Sequence, residues 1–236
     1  MKVLSAVIIA LLSMSTVYAE DIPQQYFDEE PGIAIIGDSL FAFPLSRRIG
    51  LYLDDIYDRP INDYAINGAV LLDDNGRNVI SNQYFSKVRI DLADVETVIM
   101  DGGGNDAFAN ESECIENLCP GLLEDMIEEL NQFLDTLLED GVRNVIYVGY
   151  YHPTGSKVPL IPFLDIATDR MKQACSNAEI NCTFIDTRET FRLYGESQRL
   201  ISFDGLHTSS RGSSVIAEMI LEELNKIDMQ KDLLLH

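Results

Sequence analysis

The sequence Gly-Asp-Ser-Leu at 37–40 places a serine directly after the apolar run Ile-Ala-Ile-Ile at 33–36. A β-branched run of this length is typical of a buried strand. Open α/β sheets place their active sites at the carboxyl ends of their strands, so Ser39 would stand where a nucleophile is useful. A serine in a strand-to-helix turn also commonly caps the helix. Position alone therefore leaves both roles open for Ser39.

A serine hydroxyl needs an adjacent base to act as a nucleophile, and the chain has three histidines. His207 follows Asp204 by three residues across a glycine, a spacing that can place both side chains on one side of a turn. The carboxylate could then orient the imidazole and stabilise its cation. His152 is the rival base, but no acid lies shortly before it, so we expect a loop or substrate-pocket residue there.

A third block, Gly-Gly-Gly-Asn-Asp at 102–106, follows the strand-like run at 95–100. Glycines let the backbone approach a ligand closely, and Asn105 carries a neutral NH₂ donor that could meet a developing oxyanion. In the alternative interpretation, Asn105 only caps a glycine-rich turn. The block matches no phosphate-binding pattern. A fourth block, Ala-Ile-Asn-Gly-Ala at 65–69, offers the backbone N–H of Gly68 with no side chain in the way.

Taken in this order, the four blocks resemble the SGNH (GDSL) hydrolase family, and the resemblance spans about residues 32–225. It implies that Ser39 is the nucleophile and that His207 is the general base, oriented by Asp204. One departure is Thr208, which stands where many family members carry a proline after the histidine. This difference concerns the stiffness of the turn and leaves the chemistry of the triad intact.

The same resemblance implies an oxyanion hole formed by the N–H groups of Ser39 and Gly68 and by the Asn105 side chain. It implies hydrolysis of an ester or thioester through an acyl-enzyme, without a metal or an organic cofactor. The chain carries no G-x-S-x-G at this serine, because Phe41 occupies the last position, so the nucleophile elbow of α/β-hydrolases is not indicated.

Residues around the nucleophile and in the loop after the fourth strand-like run are expected to contact the substrate. Asp38 and Leu40 flank the nucleophile, and Tyr151 and His152 belong to the loop at 150–162. This loop is apolar and aromatic, as small-molecule sites often are. Ordinary packing of the loop against the core remains the alternative.

Strand-like runs alternate with helical patterns, which indicates a parallel sheet with helices on both faces. Between 122 and 138, apolar residues recur at intervals of three and four, as on the buried side of a helix, and Gly141 is the expected C-cap. No repeat or internal linker is evident, so 32–236 is interpreted as one domain. The family resemblance implies an α/β fold, a flavodoxin-like three-layer α/β/α sandwich with a five-stranded parallel sheet. The strand-like runs lie near 33–37, 62–66, 95–100, 143–149 and 182–186.

The N-terminal residues 1–19 have the pattern of a secretory signal peptide: a positive start, an apolar run at 3–12 and small residues up to Ala19. The apolar run is too short to span a membrane comfortably. No second long apolar run follows. We therefore expect cleavage near Ala19, a polar lead-in segment at 20–31, and export to the periplasm or the outside without stable membrane insertion.

Four cysteines follow the predicted signal peptide, and an even number in an exported chain favours disulfides. Four cysteines allow three pairings, and neither local spacing is the C-x-x-C of a zinc site. We predict that sequence neighbours pair, giving the disulfides Cys114–Cys119 and Cys175–Cys182.

The formal net charge of −22 describes a strongly acidic surface that repels nucleic acid. This charge fits a neutral substrate, or an extracellular or salty setting where screening is strong. The predicted function is an exported serine esterase acting on a small-molecule, lipid or sugar ester: an acyl ester, a lysophospholipid or an acylated sugar. A thioesterase or a carbohydrate deacetylase is the alternative with the same chemistry. A catalytically silent binding protein of the same fold is the alternative from another class, and the intact set of motif residues argues against it.

Overall fold

A computed structural model gives the structure of the chain at residues 32–44, 48–72, 78–92 and 94–234. The predicted signal peptide and lead-in segment lie outside these described residues. Cleavage near Ala19 and export therefore stay predictions.

The centre of the fold is one sheet of five parallel strands in the order β2-β1-β3-β4-β5. This is the flavodoxin-like strand order, so the predicted fold class is confirmed. The strand order reverses at β1, because β2 and β3 lie on opposite sides of it. Ligands in such folds bind at this point, outside the carboxyl ends of the strands. The strands are β1 (Gly32–Ile36), β2 (Ile61–Asp63), β3 (Val95–Met100), β4 (Asn144–Val148) and β5 (Asn181–Ile185).

Helices connect the strands and cover the sheet. In the described part of the chain, the α-helices are α1 (Ser39–Ala42), α2 (Ile49–Ile56), α3 (Ile80–Gln83), α4 (Arg89–Asp91), α5 (Gly104–Ala109), α6 (Glu111–Asn117), α7 (Pro120–Glu139), α8 (Ile161–Asn177), α9 (Arg188–Tyr194) and α10 (Ser210–Leu234). A π-helical turn at Tyr84–Val88 joins α3 to α4, and a 3₁₀ helix at Gly155–Leu160 precedes α8.

Two apolar cores lie on opposite faces of the sheet. Successive side chains of a strand point to opposite faces, and β1 shows this alternation. Ala34 and Ile36 pack into the core that includes α7 and α8. Ile33 and Ile35 pack into the core that includes α1, α2 and α10. Every residue of β3 and β4 is buried, which is why the sequences of these central strands are mostly apolar instead of alternating.

The longest predicted helix is confirmed as α7, which begins two residues before and ends one residue after the predicted range. Its buried side is the apolar stripe expected from the sequence. At its end, Gly141 has φ +91°, and the Val142 N–H donates to the carbonyl of Leu137. This is the bond pattern of a glycine C-cap. The buried residues of α7 are Leu123, Met126, Leu130, Phe133, Leu134 and Leu137.

Both predicted disulfides are present. Cys114–Cys119 links α6 to the start of α7, and Cys175–Cys182 links α8 to β5. Each closes a short local loop. Disulfides persist in oxidising compartments, which agrees with the predicted export. Among the described helices, none combines the length and the apolar character needed to cross a membrane.

Candidate active site

The carboxyl ends of the central strands meet around one small cavity of about 40 Å³. Ser39 follows β1, Gly104 follows β3, and Tyr150 and Tyr151 follow β4. His207 reaches the cavity from the segment before α10. The structure thus brings the predicted nucleophile and base to one cavity. Its lining is Asp38, Ser39, Leu40, Gly104, Phe108, Tyr150, Tyr151, Pro153, Leu164, Leu206 and His207.

The turn that carries Ser39 is held from two sides at Gly37. The Gln83 side-chain amide donates to the Gly37 carbonyl and accepts its N–H, both at 2.8 Å. On the other side, a Cβ at Gly37 would lie 1.7 Å from Asp101 Oδ1, and the φ of Gly37 is +145°. Only glycine fits this position, so the first residue of the Gly-Asp-Ser-Leu sequence serves close packing beneath the nucleophile.

Asp38, not Ser39, caps the helix that starts at this turn. One oxygen of its carboxylate accepts the N–H of Leu40 at 2.8 Å, in the manner of an N-cap. The other accepts the Tyr150 hydroxyl at 2.7 Å and the Asn105 amide at 3.1 Å. The capping alternative for Ser39 is therefore wrong. Among the described residues none, His207 included, forms a hydrogen bond with the Ser39 hydroxyl.

Asp204 and His207 form the pair that their spacing predicts. Asp204 Oδ2 lies 2.7 Å from His207 Nδ1, while Oδ1 accepts the backbone N–H groups of Leu206 and His207 at 3.0 Å. Burial raises the pKa of the Asp204 carboxyl, but these hydrogen bonds outweigh burial and hold the pKa below its usual value. Phe43 packs against the imidazole with a centroid distance of 4.5 Å. The imidazole is thereby fixed by hydrogen bonding at its edge and by an aromatic ring at its face.

Tyr151 and Thr154, in the segment after β4, hold the loop that carries Asp204 and His207. The Tyr151 hydroxyl donates to the carbonyl of Leu206 at 2.6 Å, and the Tyr151 ring stacks on Phe191. The Thr154 N–H donates to the Gly205 carbonyl at 2.7 Å. Tyr151 is predicted to contact the substrate. It lies in the cavity wall, and it also positions the loop that carries His207.

Thr208 stands where many family members carry a proline, and its hydrogen bonds fix the turn in place of a proline ring. It is buried, and its hydroxyl lies 2.8 Å from that of Ser213 in α10. It also forms an isolated antiparallel bridge with Ile201. These contacts tie the turn to the helix that follows it.

Of the three predicted oxyanion residues, Ser39 lines the cavity, and the Asn105 amide bonds the sequence neighbours of Ser39 and Gly68. Asn105 Nδ2 donates to the Ala69 carbonyl at 2.8 Å as well as to Asp38, and so bridges the neighbours of Gly68 and Ser39. Gly68 is exposed, with φ +79° and open space where a Cβ would lie. The N-cap of α5 is Gly103, without a side-chain hydrogen bond. The alternative in which Asn105 caps the turn is therefore wrong.

Asp106 anchors the loop that follows Gly68. Its carboxylate accepts the backbone N–H groups of Leu71 and Leu72 at 2.8 and 3.0 Å. Burial raises the pKa of Asp106, and these backbone N–H groups oppose the rise. The sequence placed Asp106 inside a motif block but assigned it no contact, since its partners lie 35 residues away.

His152 lies outside the cavity of Ser39, in an ionic cluster on α8 and α9. Its Nε2 is 2.8 Å from Asp165 Oδ1, and Arg188 bonds the same carboxylate at 3.0 Å. The partner acid of His152 lies 13 residues after it in the sequence, in α8, where no local spacing points to the contact. Among the described residues, His152 lines the neighbouring open grooves and not the cavity that holds Ser39.

Two residues that shape the nucleophile turn cannot be identified from the sequence. Gln83 lies 46 residues from Gly37, in a segment without any motif. Tyr150 was recognised only as part of a loop wall, although its hydroxyl bonds Asp38 across 112 residues of sequence. Neither contact has a local signal, because the fold alone brings these segments together.

A family profile described as GDSL-like lipase/acylhydrolase matches residues 33–220. The chain belongs to this GDSL-like lipase/acylhydrolase family. It is accordingly a carboxylic ester hydrolase. The matched range includes every motif block at the cavity, from the Gly-Asp-Ser-Leu sequence to His207, so the resemblance inferred from the residues is confirmed.

Solved structures with the same fold include several esterases. A carbohydrate acetylesterase from Sinorhizobium meliloti is 13% identical with a TM-score of 0.60, covering 84% of this chain and 100% of that one. An acetylxylan esterase from Geobacillus stearothermophilus is 16% identical with a TM-score of 0.57, covering 83% and 94%. A lipase/acylhydrolase from Enterococcus faecalis is 13% identical with a TM-score of 0.54, covering 82% and 95%. No curated protein sequence matches the chain. At these identities the structural similarity is evidence of the fold alone.

Proposed function

We propose that this GDSL-family hydrolase is an exported serine esterase that removes short acyl groups, above all acetyl, from a sugar. The observation that carries the proposal is the size of the cavity shared by Ser39 and His207, about 40 Å³. One water molecule needs about 10–15 Å³, so the cavity holds only a few non-hydrogen atoms, which suits a short acyl group. Its walls at Leu40, Phe108 and Leu164 are apolar, as an acyl chain requires.

In the proposed first half-reaction, Ser39 Oγ attacks the ester carbonyl carbon while His207 Nε2 takes the hydroxyl proton. Asp204 keeps the imidazole in the tautomer with its Nδ1 protonated and stabilises the imidazolium. The N–H groups of Ser39 and Gly68 donate to the tetrahedral oxyanion, and the Asn105 amide joins them by exchanging one of its two bonds, to Asp38 or to Ala69, for the oxyanion. The C–O bond to the alcohol then breaks, the alcohol oxygen takes the proton from His207, and the acyl group stays on Ser39.

The second half-reaction repeats these steps with water. His207 takes a proton from the water molecule, whose oxygen attacks the acyl carbon of the ester on Ser39. The second tetrahedral oxyanion uses the same donors. Its collapse breaks the bond to Ser39 Oγ, which regains its proton from His207, and the carboxylic acid leaves. Each proton taken is returned, so no metal or organic cofactor is needed to balance the reaction.

An open groove beside the cavity has room for a bulky alcohol moiety of the substrate. It has a volume of about 590 Å³, within the usual range for ligand sites. Pro153 lines both the groove and the cavity, and the groove also includes the fully exposed ring of Phe203, next to Asp204. An exposed aromatic ring with Arg199, Glu196 and hydroxyl groups around it suits the apolar faces and hydroxyls of a sugar. Two of the similar structures are carbohydrate esterases, which agrees with this assignment.

A chain-length series tests the proposed substrate. We expect kcat/KM to be highest for p-nitrophenyl acetate and to fall about 100-fold or more by the octanoate, because forcing extra methylenes into a packed site costs about 1–3 kcal/mol. Acetylated xylo-oligosaccharides should be hydrolysed with a lower KM than p-nitrophenyl acetate. Preference for the octanoate would contradict the short-acyl assignment, and preference for an acyl thioester would favour the thioesterase alternative.

Phe203→Ala is the matched variant for the sugar part of this experiment. It should raise KM for the oligosaccharide several-fold and leave the kinetics with p-nitrophenyl acetate unchanged. Ile90→Ala removes another largely exposed apolar side chain, on α4, and should change neither. An unchanged oligosaccharide KM in Phe203→Ala would remove this groove from the substrate site.

Removing the Asn105 amide tests the oxyanion hole. We expect Asn105→Ala to lower kcat by about 10²–10³-fold with little change in KM, as loss of one oxyanion donor does elsewhere. Asn105→Asp should be worse, because a second carboxylate would face Asp38 and the developing negative charge. Steady-state kinetics and melting temperatures of both variants provide the measurement. A destabilised Asn105→Ala enzyme with normal kcat would show that the bonds to Ala69 and Asp38 are the residue's whole role.

A further inference from the structure

Two carboxyl groups lie in contact beneath the nucleophile turn. Asp101 directly follows β3 and is completely buried, and its Oδ1 accepts the backbone N–H of Asp38 at 2.8 Å. Beyond the effect of burial, the charge of the Asp38 side chain acts directly on this carboxyl group and raises its pKa. Asp38 itself is 2% exposed. The catalytic scheme proposed above makes no use of Asp101.

The Asp38 carboxylate accepts more hydrogen bonds than the Asp101 carboxyl group does. The Asp38 carboxylate accepts from the Leu40 N–H, the Tyr150 hydroxyl and the Asn105 amide. Asp101 accepts through Oδ1, and its buried Oδ2 has no hydrogen-bond partner among the described residues. Burial raises the pKa of Asp101 and the nearby Tyr150 hydroxyl acts to lower it, but this hydroxyl donates its proton to Asp38. A buried acceptor without a donor is costly. A proton on this oxygen would turn the unsatisfied acceptor into a donor for Asp38.

Electrostatic repulsion also favours a state in which Asp101 is protonated and Asp38 is ionised. Two ionised carboxylates in contact in a buried site repel each other strongly, so one of them holds a proton. The titratable groups facing Asp101 are Asp38 after β1 and Tyr147 and Tyr150 on and after β4, and Asp106 of α5 faces Asp38. All four are acids. Burial and then the charge of Asp38 raise the pKa of Asp101 well above its usual value.

We propose that Asp101 is a positioning residue that works as an un-ionised carboxylic acid. Its Oδ1 accepts the Asp38 N–H, and its protonated Oδ2 donates to the Asp38 carboxylate. Asp38 is thereby fixed through both its backbone and its side chain. Because Asp38 precedes Ser39 and orients the Asn105 amide, Asp101 acts on the oxyanion donors through Asp38. The catalytic part of this inference rests on the proposed function.

An asparagine at position 101 can make the same two hydrogen bonds, with its carbonyl as acceptor and its NH₂ as donor. We expect Asp101→Asn to keep kcat within about threefold of the wild type. Asp101→Ala removes both bonds and should lower kcat about 10-fold or more with little change in KM. The measurement is the steady-state hydrolysis of p-nitrophenyl acetate by both variants. An inactive Asp101→Asn enzyme that melts at the wild-type temperature would show that position 101 needs a charge, and would overturn the proposal.

The pH dependence of stability tests the proton directly and needs no substrate. Below about pH 4, Asp101 is protonated in both folded and unfolded chains. As the pH rises past that value, the unfolded chain releases the proton while the folded chain keeps it, so the wild type loses stability relative to Asp101→Asn until the raised folded pKa is passed. The melting temperature of the variant minus that of the wild type should therefore grow from pH 4 to pH 8.

Asp186→Asn is a control for which the stability relative to the wild type should change with pH in the opposite direction. Hydrogen bonds from Arg188 are the largest influence on the pKa of the Asp186 carboxyl and lower it, so this variant should lose stability relative to the wild type as the pH rises towards about 4, and the difference should stay level above about pH 5. A difference between Asp101→Asn and the wild type that stays constant with pH, or falls as in the control, would overturn the un-ionised state of Asp101. If the esterase assignment failed instead, these melting curves would be unaffected.

Discussion

Ser39→Ala is expected to lower kcat by about 10⁴–10⁶-fold while the protein stays folded. The variant removes the only atom that could form the acyl-enzyme in the proposed scheme, and losses of this size follow removal of a catalytic serine in other hydrolases. The Ser39 hydroxyl makes no hydrogen bond with a described residue, so its loss should leave the melting temperature nearly unchanged. Hydrolysis of p-nitrophenyl acetate and thermal melting of the mature protein provide the two readouts.

Ser112→Ala is the matched control, since Ser112 is an exposed serine of α6 away from the cavity lining. It should keep the wild-type rate and melting temperature. Near-normal activity of Ser39→Ala would contradict the nucleophile assignment. A large loss of activity accompanied by unfolding would assign the serine to structure instead.

His207→Ala is expected to lower kcat about as far as Ser39→Ala does. Residues of a triad act as a unit, because without the base the serine hydroxyl is a poor nucleophile and without the serine the base has nothing to deprotonate. The double variant should therefore be little slower than either single variant. Kinetics of the three proteins on p-nitrophenyl acetate measure this non-additivity. Losses that multiply in the double variant would contradict a shared catalytic step.

His152→Ala separates the two candidate bases. Its imidazole is bonded to Asp165, in the cluster beside the open grooves, so the variant should change substrate preference more than it changes kcat. Each histidine has a carboxylate partner at hydrogen-bond distance, and what distinguishes them is access to the Ser39 cavity. If His152→Ala abolished turnover and His207→Ala did not, the base would have been assigned to the wrong histidine.

The sequence alone predicts this fold well where elements repeat a simple physical pattern. Central strands buried on both faces require continuous apolar runs, and the runs near 33–37 and 143–149 coincide with β1 and β4 within one residue at each end. The edge strand is less well predicted. β2 ends at Asp63, although the N–H groups of Tyr64 and Ile66 still bond to the segment of β1 and Gly37. A regular strand therefore stops before the backbone pairing does.

Contacts between residues of one short motif are likewise predictable, whereas contacts with distant groups are not. Asp204 and His207 meet within one turn, so their spacing is sufficient to predict the contact. Gln83 contacts Gly37 from a helix 46 residues away, and no periodicity marks it. Asp101 stands beside a motif block, but its contact with Asp38 depends on how β1 and β3 pair. Long-range partners of this kind require the folded structure.

Covalent labelling with a p-nitrophenyl phosphonate tests the central claim most directly, because the phosphonate forms a stable bond only with an activated nucleophile. Intact-mass and peptide-mass measurements on the mature protein should find one phosphonyl group per chain, on the peptide that contains Ser39. Labelling should be absent in Ser39→Ala and much slower in His207→Ala. A phosphonyl group on any other residue, or full labelling of Ser39→Ala, would contradict the account of Ser39 as the nucleophile activated by His207.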